Sequence, residues 1–598
     1  MSSTTPTRRQ FLCGAITSLS SFALYQASPR WAHGQGYTAT SPTQSAPVTL
    51  NVAERTFQFS SKPHNTITLN GQMPGPLLRF TEGQTAVVDV TNHLKVDTSV
   101  HWHGIILPAN MDGVPGLSFA GIKPNATFRY TFDIKQNGTY WYHSHSGLQE
   151  QSGHIGPMVI TPKDGDIGAD REHTILLSDW TFEDPEDIYR NLKVSEGYYN
   201  YQKRTLFDTL AEVQAHGLAQ TWQSRSMWNA MRMDPRDIAD VSASVYTYLM
   251  NGKDSLMNFE ALFKPNEKVR LRLINGSAMT YFDFRIPGLS LTVVAADGQP
   301  VKPVIVDEIR IATAETYDVI VQPKHNKAYT LFAESYDRSG FVRGTLTPQL
   351  GLSAAVPARR HLVERTMNAM GMQHSMPAQH TMEMPPSHQP SSVMSGSEHS
   401  HHAHAPSTPQ KLAVPIADIP VHHQSQGHGQ GAAMIAHNPR PRMDEPGLGL
   451  ANSQRRVLVY QDLIGATPWP DERPPQRHLE LHLTGNMQRY MWSFDGKKFS
   501  EVDEPIHFEY GERLRLILVN DTMMDHPIHL HGMWMELENG QFPRPRKHTI
   551  SLKPAEKLSL LITADAKGEW AFHCHLLYHM KAGMFRVVRV QQGEGNHD

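Results

Sequence analysis

The chain has 598 residues, 39% of them hydrophobic, a formal net charge of -3 and two cysteines. That length makes several domains, and the near-neutral balance excludes the basic face that nucleic acid or an anionic membrane demands. Two cysteines exclude a disulfide framework, whereas 34 histidines and 27 methionines supply imidazole and thioether, donors that together point toward copper.

The N-terminal stretch TTPTRRQFLCGAITSLSSFALYQAS sets Arg8 and Arg9 ahead of Phe11, Leu12 and a weakly apolar run of Ala, Ser and Gly. It reads as a twin-arginine export signal, so residues 1–40 are assigned to a signal and flexible N-terminus and the product is expected in the periplasm. No later run approaches ~18 apolar residues, so no membrane span is expected. Cys13 leaves with the signal, and Cys574 then has no disulfide partner. A free thiol in an oxidising space needs protection, which metal coordination gives.

Short alternating apolar runs follow, separated by Gly, Pro and Asn turns. Examples are AVVDVTNH (86–93), RLRLINGS (270–277), TVVAADG (292–298) and RLRLILVND (513–521), which read as strands of antiparallel sheets. Helical periodicity is scarce and best between Asp208 and Asp237. The expected fold class is all-β, built of sandwiches in three blocks, 46–165, 166–351 and 455–592. Between the last two, over 352–454, strand signals fade and His, Met, Pro, Ser and Gln dominate, as in MNAMGMQHSMPAQHTMEMPPSH (367–388), HSHHAH (399–404) and VHHQSQGHGQG (421–431). A stretch of that composition is expected to bury no core and to form a linker or surface lobe.

The first and last blocks repeat a motif. VHWHG (100–104) precedes GTYWYHSH (138–145), and IHLHG (528–532) precedes GEWAFHCH (568–575). On a strand, His-x-His puts both imidazoles on one face. One such pair is an ordinary strand with polar residues outward; four, related by an internal duplication, predict a shared pocket for several metal ions. The same alternation sends Cys574 to the opposite face from His573 and His575, toward His579, Met584 and His526. A thiolate, two imidazoles and a distant thioether make a blue-copper site.

These residues carry a resemblance. HCHLLYHMKAGM (573–584), with HWHG, HSH and HPIHLH, resembles the multicopper oxidases built of three cupredoxin domains. The resemblance implies three cupredoxin-like Greek-key β-sandwich domains with a Met/His-rich insertion between the second and third. It also implies four copper ions: type 1 on His526, Cys574 and His579 with Met584 axial, type 2 on His101 and His529, and a type 3 pair on His103, His143, His145, His531, His573 and His575. The first block has Ser144 where the last has Cys574, so one blue site is expected, and the middle block is structural. Electrons would enter at the type 1 copper and pass through Cys574 to reduce O2 to water. Asp112, in the loop MDGVPG, is either the proton-supplying acid of that reaction or a turn residue before Gly113.

The chain is also similar to periplasmic copper-resistance oxidases in LPANMDGVPGLSFAGI (107–122), RMDEPGLGL (442–450), HGMWMELENG (531–540) and its Met-rich insertion. That similarity implies oxidation of Cu(I) to Cu(II). Soft thioethers favour Cu(I), so Met367, Met370, Met372, Met376, Met382 and Met384 are candidate substrate-copper ligands, the alternative being a solubilising linker or a lid. Met227 and Met231, four apart on a predicted helix, either line a copper path or pack in the core. A laccase-like phenol oxidase and a copper-sequestering protein stay open beside the cuprous reading, and a monomer is the default.

Overall fold

The computed structural model describes residues 47–372, 419–423 and 428–593. The signal stretch with Cys13, the HSHHAH run, Met376, Met382 and Met384 lie outside the described residues. The described chain is dominated by strands, and its six sheets fall two to a block.

Alternation builds the strands. In Thr85–Asn92, Ala86, Val88 and Val90 are fully buried while the residues between them are more exposed, the period-two pattern of a half-buried strand. This strand lies in a four-stranded sheet ordered Pro63–Leu69, Val48–Gln58, Thr85–Asn92, Thr127–Asp133. The facing sheet is ordered Leu78–Thr81, Ile155–Thr161, Gly138–His143, His101–His103.

The second and third blocks share one topology strand for strand, each a six-stranded sheet against a five-stranded one. The sheets are mixed, which differs from the antiparallel expectation. In every block the opening strand runs parallel to a later one: Val48–Gln58 with Thr85–Asn92, Arg171–Thr181 with Val269–Asn275, and Arg477–Asn486 with Arg513–Asn520. The reason is connectivity. After a hairpin partner the chain visits the other sheet and returns beside the opening strand in the same direction, and a crossover of that kind produces parallel pairing.

Helices occur mainly as an excursion in the second block: Pro185–Val194 capped by Asp184, Leu206–His216 opened by a Thr205/Asp208 capping box, and Leu218–Met231. The caps satisfy amide groups that a helix start leaves unpaired. Met227 and Met231 sit on the last of these helices, half-buried against the core, the packing alternative for that pair.

One apolar cluster runs through all three blocks, and buried ion pairs and hydrogen bonds join them. Lys547 of the third block lies 3.0 Å from Asp297 and 3.1 Å from Glu315 of the second. Arg272 reaches Thr139 of the first block at 2.9 Å and Asp318 at 3.0 Å. These contacts hold the first and last blocks in register.

The described flanks of the 352–454 stretch differ from a solvated lobe. Met370, Ala436 and Leu450 are buried, as are Met367 and Met443, and Arg365 pairs with Asp525 at 2.8 Å. Met367 and Met370, candidate substrate-copper ligands, are buried in the core cluster, with Met372 packed beside them. The physical reason is that Met is as good a core filler as a soft ligand, and composition does not distinguish the two.

Candidate metal centre

Strand register brings the histidines together. His101 stands opposite His143 across the pair of strands His101–His103 and Gly138–His143. In the third block His529 stands opposite His573, and Ile528 opposite Cys574. Trp102 and Leu530, the residues inside the first His-x-His of each block, are buried in the core, so the imidazoles on either side of them share the other face. The glycine that opens each second strand matches as well: Gly138 has φ 131° and Gly568 φ 132°. A Cβ would lie 2.2 Å from the carbonyl oxygen of Gly298 at the first and 2.4 Å from Ala109 at the second. Both are places where the chain passes another block too closely for a side chain.

Rings from the two ends of the sequence interleave. His101 stacks on His531 and His103 on His529, each with centroids 3.9 Å apart. Potential ligand atoms gather within 4.8 Å in the sets His101, His103, His529; His103, His143, His575; and His145, His531, His573. The nitrogens facing inward have no hydrogen-bond partner: Nε2 of His101, His143, His145, His529 and His575, and Nδ1 of His103. The outward nitrogens are held. His143 Nδ1 lies 2.8 Å from Glu150, His531 Nδ1 2.8 Å from Asp112, His529 Nδ1 2.7 Å from the His548 carbonyl and His573 Nδ1 2.9 Å from the Cys574 carbonyl. Buried polar atoms are almost always paired, so a converging set of orphaned nitrogens whose far sides are anchored is the arrangement of metal ligands.

Electrostatics agree. Burial, reinforced by repulsion among the rings, holds His103, His143, His145, His529, His531 and His575 well below the usual imidazole range, and burial brings His573 to about 4. Neutral imidazoles present lone pairs, which a cation requires.

On the other face, Cys574 Sγ lies 3.6 Å from His526 Nδ1 and 3.9 Å from His579 Nδ1, and the two nitrogens are 3.2 Å apart. Their outer Nε2 atoms are anchored at 2.7 Å, on Thr522 and on Asp240. Cys574 is the free cysteine among the described residues and is buried, and burial pushes its thiol up. Met584 is fully buried, and its backbone bonds to Cys574 and His579 at 3.1 Å. Trp492 stacks on His579 at 4.0 Å. The donor set of two imidazoles, a thiol and a neighbouring thioether fits copper, and the all-imidazole set fits it equally.

Asp112, Glu150 and Asp240 are the carboxylates of the two clusters. Asp112 was legible from its loop. Glu150, seven residues beyond His143, and Asp240, in the loop between helix Leu218–Met231 and strand Tyr246–Met250, belong to no motif, and only the folded chain brings them in.

Three parts of the chain, residues 51–165, 171–350 and 472–594, match the sequence models of the multicopper oxidase family. The chain belongs to the multicopper oxidase family. Copper is accordingly its cofactor, and its activity is that of an oxidoreductase. It is 49% identical over 578 residues to copper resistance protein A of Escherichia coli, covering 91% of this chain and 92% of the relative. It is 48% identical over 605 residues to a copper resistance protein A homolog of Pseudomonas syringae pv. tomato, covering 98% and 100%. Among solved structures, this multicopper oxidase superposes on Fet3p, a multicopper oxidase that functions in iron import, with a TM-score of 0.59 at 17% identity, covering 92% of this chain and 90% of the other. A multicopper oxidase from Pseudomonas thermotolerans gives 0.56 at 18%, covering 93% and 100%. At such identities the structural likeness concerns the cupredoxin-domain fold alone.

Proposed function

We propose that this oxidase takes electrons from Cu(I) at the cysteine cluster and reduces O2 to water at the histidine cluster, in the periplasm, as part of copper tolerance. His526, Cys574, His579 and Met584 would hold the type 1 ion, and His101 with His529 the type 2 ion. His103, His143, His575 and His145, His531, His573 would hold the type 3 pair, four ions in all. Copper in these sites supplies one-electron oxidation of the reductant and four-electron reduction of O2. The chain supplies the rest. Cys574 is joined through its own backbone to His573 and His575, so the two clusters share one short covalent path. Asp112 and Glu150 anchor rings at the histidine cluster and give protons a place within hydrogen-bond reach of it.

The observation that carries the cuprous reading is a cavity of about 20 Å³ whose lining includes Asp240, Met279, Met524 and Asp525. Asp240 bonds His579 Nε2 at 2.7 Å, and its Oδ1 is buried without a partner. Such a space admits one water or one ion, and the thioethers in its lining suit Cu(I). The names of the copper-resistance relatives point the same way. Met376, Met382 and Met384 are the proposed capturing ligands of the Met/His-rich stretch. Export by the twin-arginine route and a monomeric state belong to the same proposal, and no helix among the described residues is long and apolar enough to cross a membrane.

The test compares O2 uptake on Cu(I) and on a phenol, for the intact chain, for Asp240→Asn and for a chain lacking residues 373–418. Preference for Cu(I), reduced at least tenfold by Asp240→Asn, supports the reading. Ready oxidation of phenols with none of Cu(I) overturns it in favour of a laccase-like enzyme.

A further inference from the structure

Outside the ligand sets of both copper clusters, His423, His428, His482 and Asp521 gather against the third block, with potential ligand atoms all within 4.8 Å of one another. The elements that meet there are unrelated in sequence. His482 lies on strand Arg477–Asn486, where His478, Glu480 and His482 alternate. Asp521 follows strand Arg513–Asn520, and His423 and His428 come from the returning end of the Met/His-rich stretch.

The distances are those of ligands sharing an ion. His428 Nε2 lies 3.2 Å from Asp521 Oδ2 and His423 Nε2 3.3 Å from Asp521 Oδ1. Donors at about 2.0–2.1 Å from a tetrahedral ion stand about 3.3 Å apart. The cysteine cluster shows the same 3.2 Å spacing between its two imidazole nitrogens. His482 Nδ1, at 2.7 Å from Asp521 Oδ2, is the closest pair, and it has to open by about 0.6 Å to reach that spacing. The ring centroids of His428, His482 and His423 lie 4.4 to 5.7 Å apart.

Two further features distinguish the cluster from a surface charge network. The His428 side chain is 2% exposed, yet neither of its ring nitrogens has an aligned hydrogen-bond partner. His482 lies 3.1 Å from Glu480 through its other nitrogen, Nε2, the carboxylate brace that orients a metal-bound imidazole. Asp521 and His482 are also buried, whereas the His423 side chain is 20% exposed and gives an ion a way in.

We infer that His423, His428, His482 and Asp521 form a further binding site for a divalent transition-metal ion, one that pins the returning end of the Met/His-rich stretch to the third block. Three imidazoles and one carboxylate bind Cu(II) more tightly than Zn(II) by the Irving–Williams order. Strand Met491–Phe494, the hairpin partner of the strand that carries His482, bears Trp492, whose ring stacks on His579. The ion would thus also brace the hairpin that covers the cysteine cluster.

The experiment loads the full-length protein with excess Cu(II), desalts it and measures copper per chain together with the blue absorption, for wild type, His428→Ala and the double variant His423→Ala/His428→Ala. Copper in the oxidase clusters and elsewhere in the chain is common to all three. The inference expects one equivalent less in both variants with the blue absorption per chain unchanged, and one fewer non-blue Cu(II) signal by electron paramagnetic resonance. Equal copper content in all three overturns it and leaves a cluster of imidazoles packed around the Asp521 carboxylate. Should His428→Ala lose the blue absorption, His423→Ala alone, made on the partly exposed ring, decides by the same count.

Discussion

Replacing Asp112 by Asn tests how the histidine cluster is held. Its carboxylate lies 2.8 Å from His531 Nδ1 and 3.3 Å from His101 Nδ1, while His101 Nδ1 is also 2.9 Å from the Asp112 carbonyl oxygen. One side chain therefore orients rings from both ends of the sequence. The His101 contact is backed by the backbone and the 3.3 Å carboxylate contact is long, so the loss falls mainly on His531. A charge-assisted hydrogen bond contributes about 1.5–3 kcal/mol, and each 1.4 kcal/mol is a factor of ten. Asp112→Asn should thus lower the rate of O2 uptake about 10–100-fold. Because Asp112 does not touch Cys574, His526 or His579, the blue absorption should persist at full intensity. Steady-state O2 uptake with absorption recorded on the same sample is the assay. A rate within about threefold of wild type, or loss of the blue absorption in parallel with the rate, refutes the reasoning.

Other outcomes follow from particular contacts. Cys574→Ser removes the thiolate that sits between His573 and His575; the blue absorption should vanish and O2 uptake fall at least about 1,000-fold, read by spectroscopy and oxygen electrode. Since burial keeps the Cys574 thiol protonated, loading copper at pH 7 should release a proton that Cys574→Ser does not release, measured in weakly buffered solution. Lys547→Met leaves Asp297 and Glu315 buried without their cation and should destabilise the fold by about 3–5 kcal/mol in denaturant titrations. Burial raises Asp237 from 3.8 to about 7. The folded state then binds more protons than the unfolded one between those values, so this residue's contribution to stability is present below pH 4 and is lost progressively up to pH 7. At about 1.4 kcal/mol per pKa unit the loss is on the order of 4 kcal/mol, and Asp237→Asn should flatten that part of the stability profile. An unchanged slope contradicts the assignment.

What could be read from the sequence was local. Alternation in AVVDVTNH and RLRLILVND gave strands because a pleat repeats every two residues, and each His-x-His announced two rings on one face for the same reason. The cysteine between two histidines marked a second face of the same strand. Interactions that join distant residues were hidden. Asp112 and His531 are 419 residues apart and Asp240 and His579 are 339, and no spacing rule connects them. Parallel pairing of the opening strands was missed because hydrophobic alternation is the same in either direction. Met370 illustrates a different limit: a thioether looks the same in a copper-capturing tail and in a packed core until its neighbours are known. His428 shows the converse, an imidazole in a tract of low-complexity composition that docks into a buried, ligand-like cluster.

In the proposed reaction, electrons taken singly from Cu(I) are delivered together to O2. The most direct measurement is the ratio of Cu(I) oxidised to O2 consumed by the copper-loaded protein, with hydrogen peroxide assayed in the same vessel. Four Cu(I) for each O2, and no peroxide, are expected. A ratio of two with peroxide accumulating, or Cu(I) bound without O2 uptake, would contradict it.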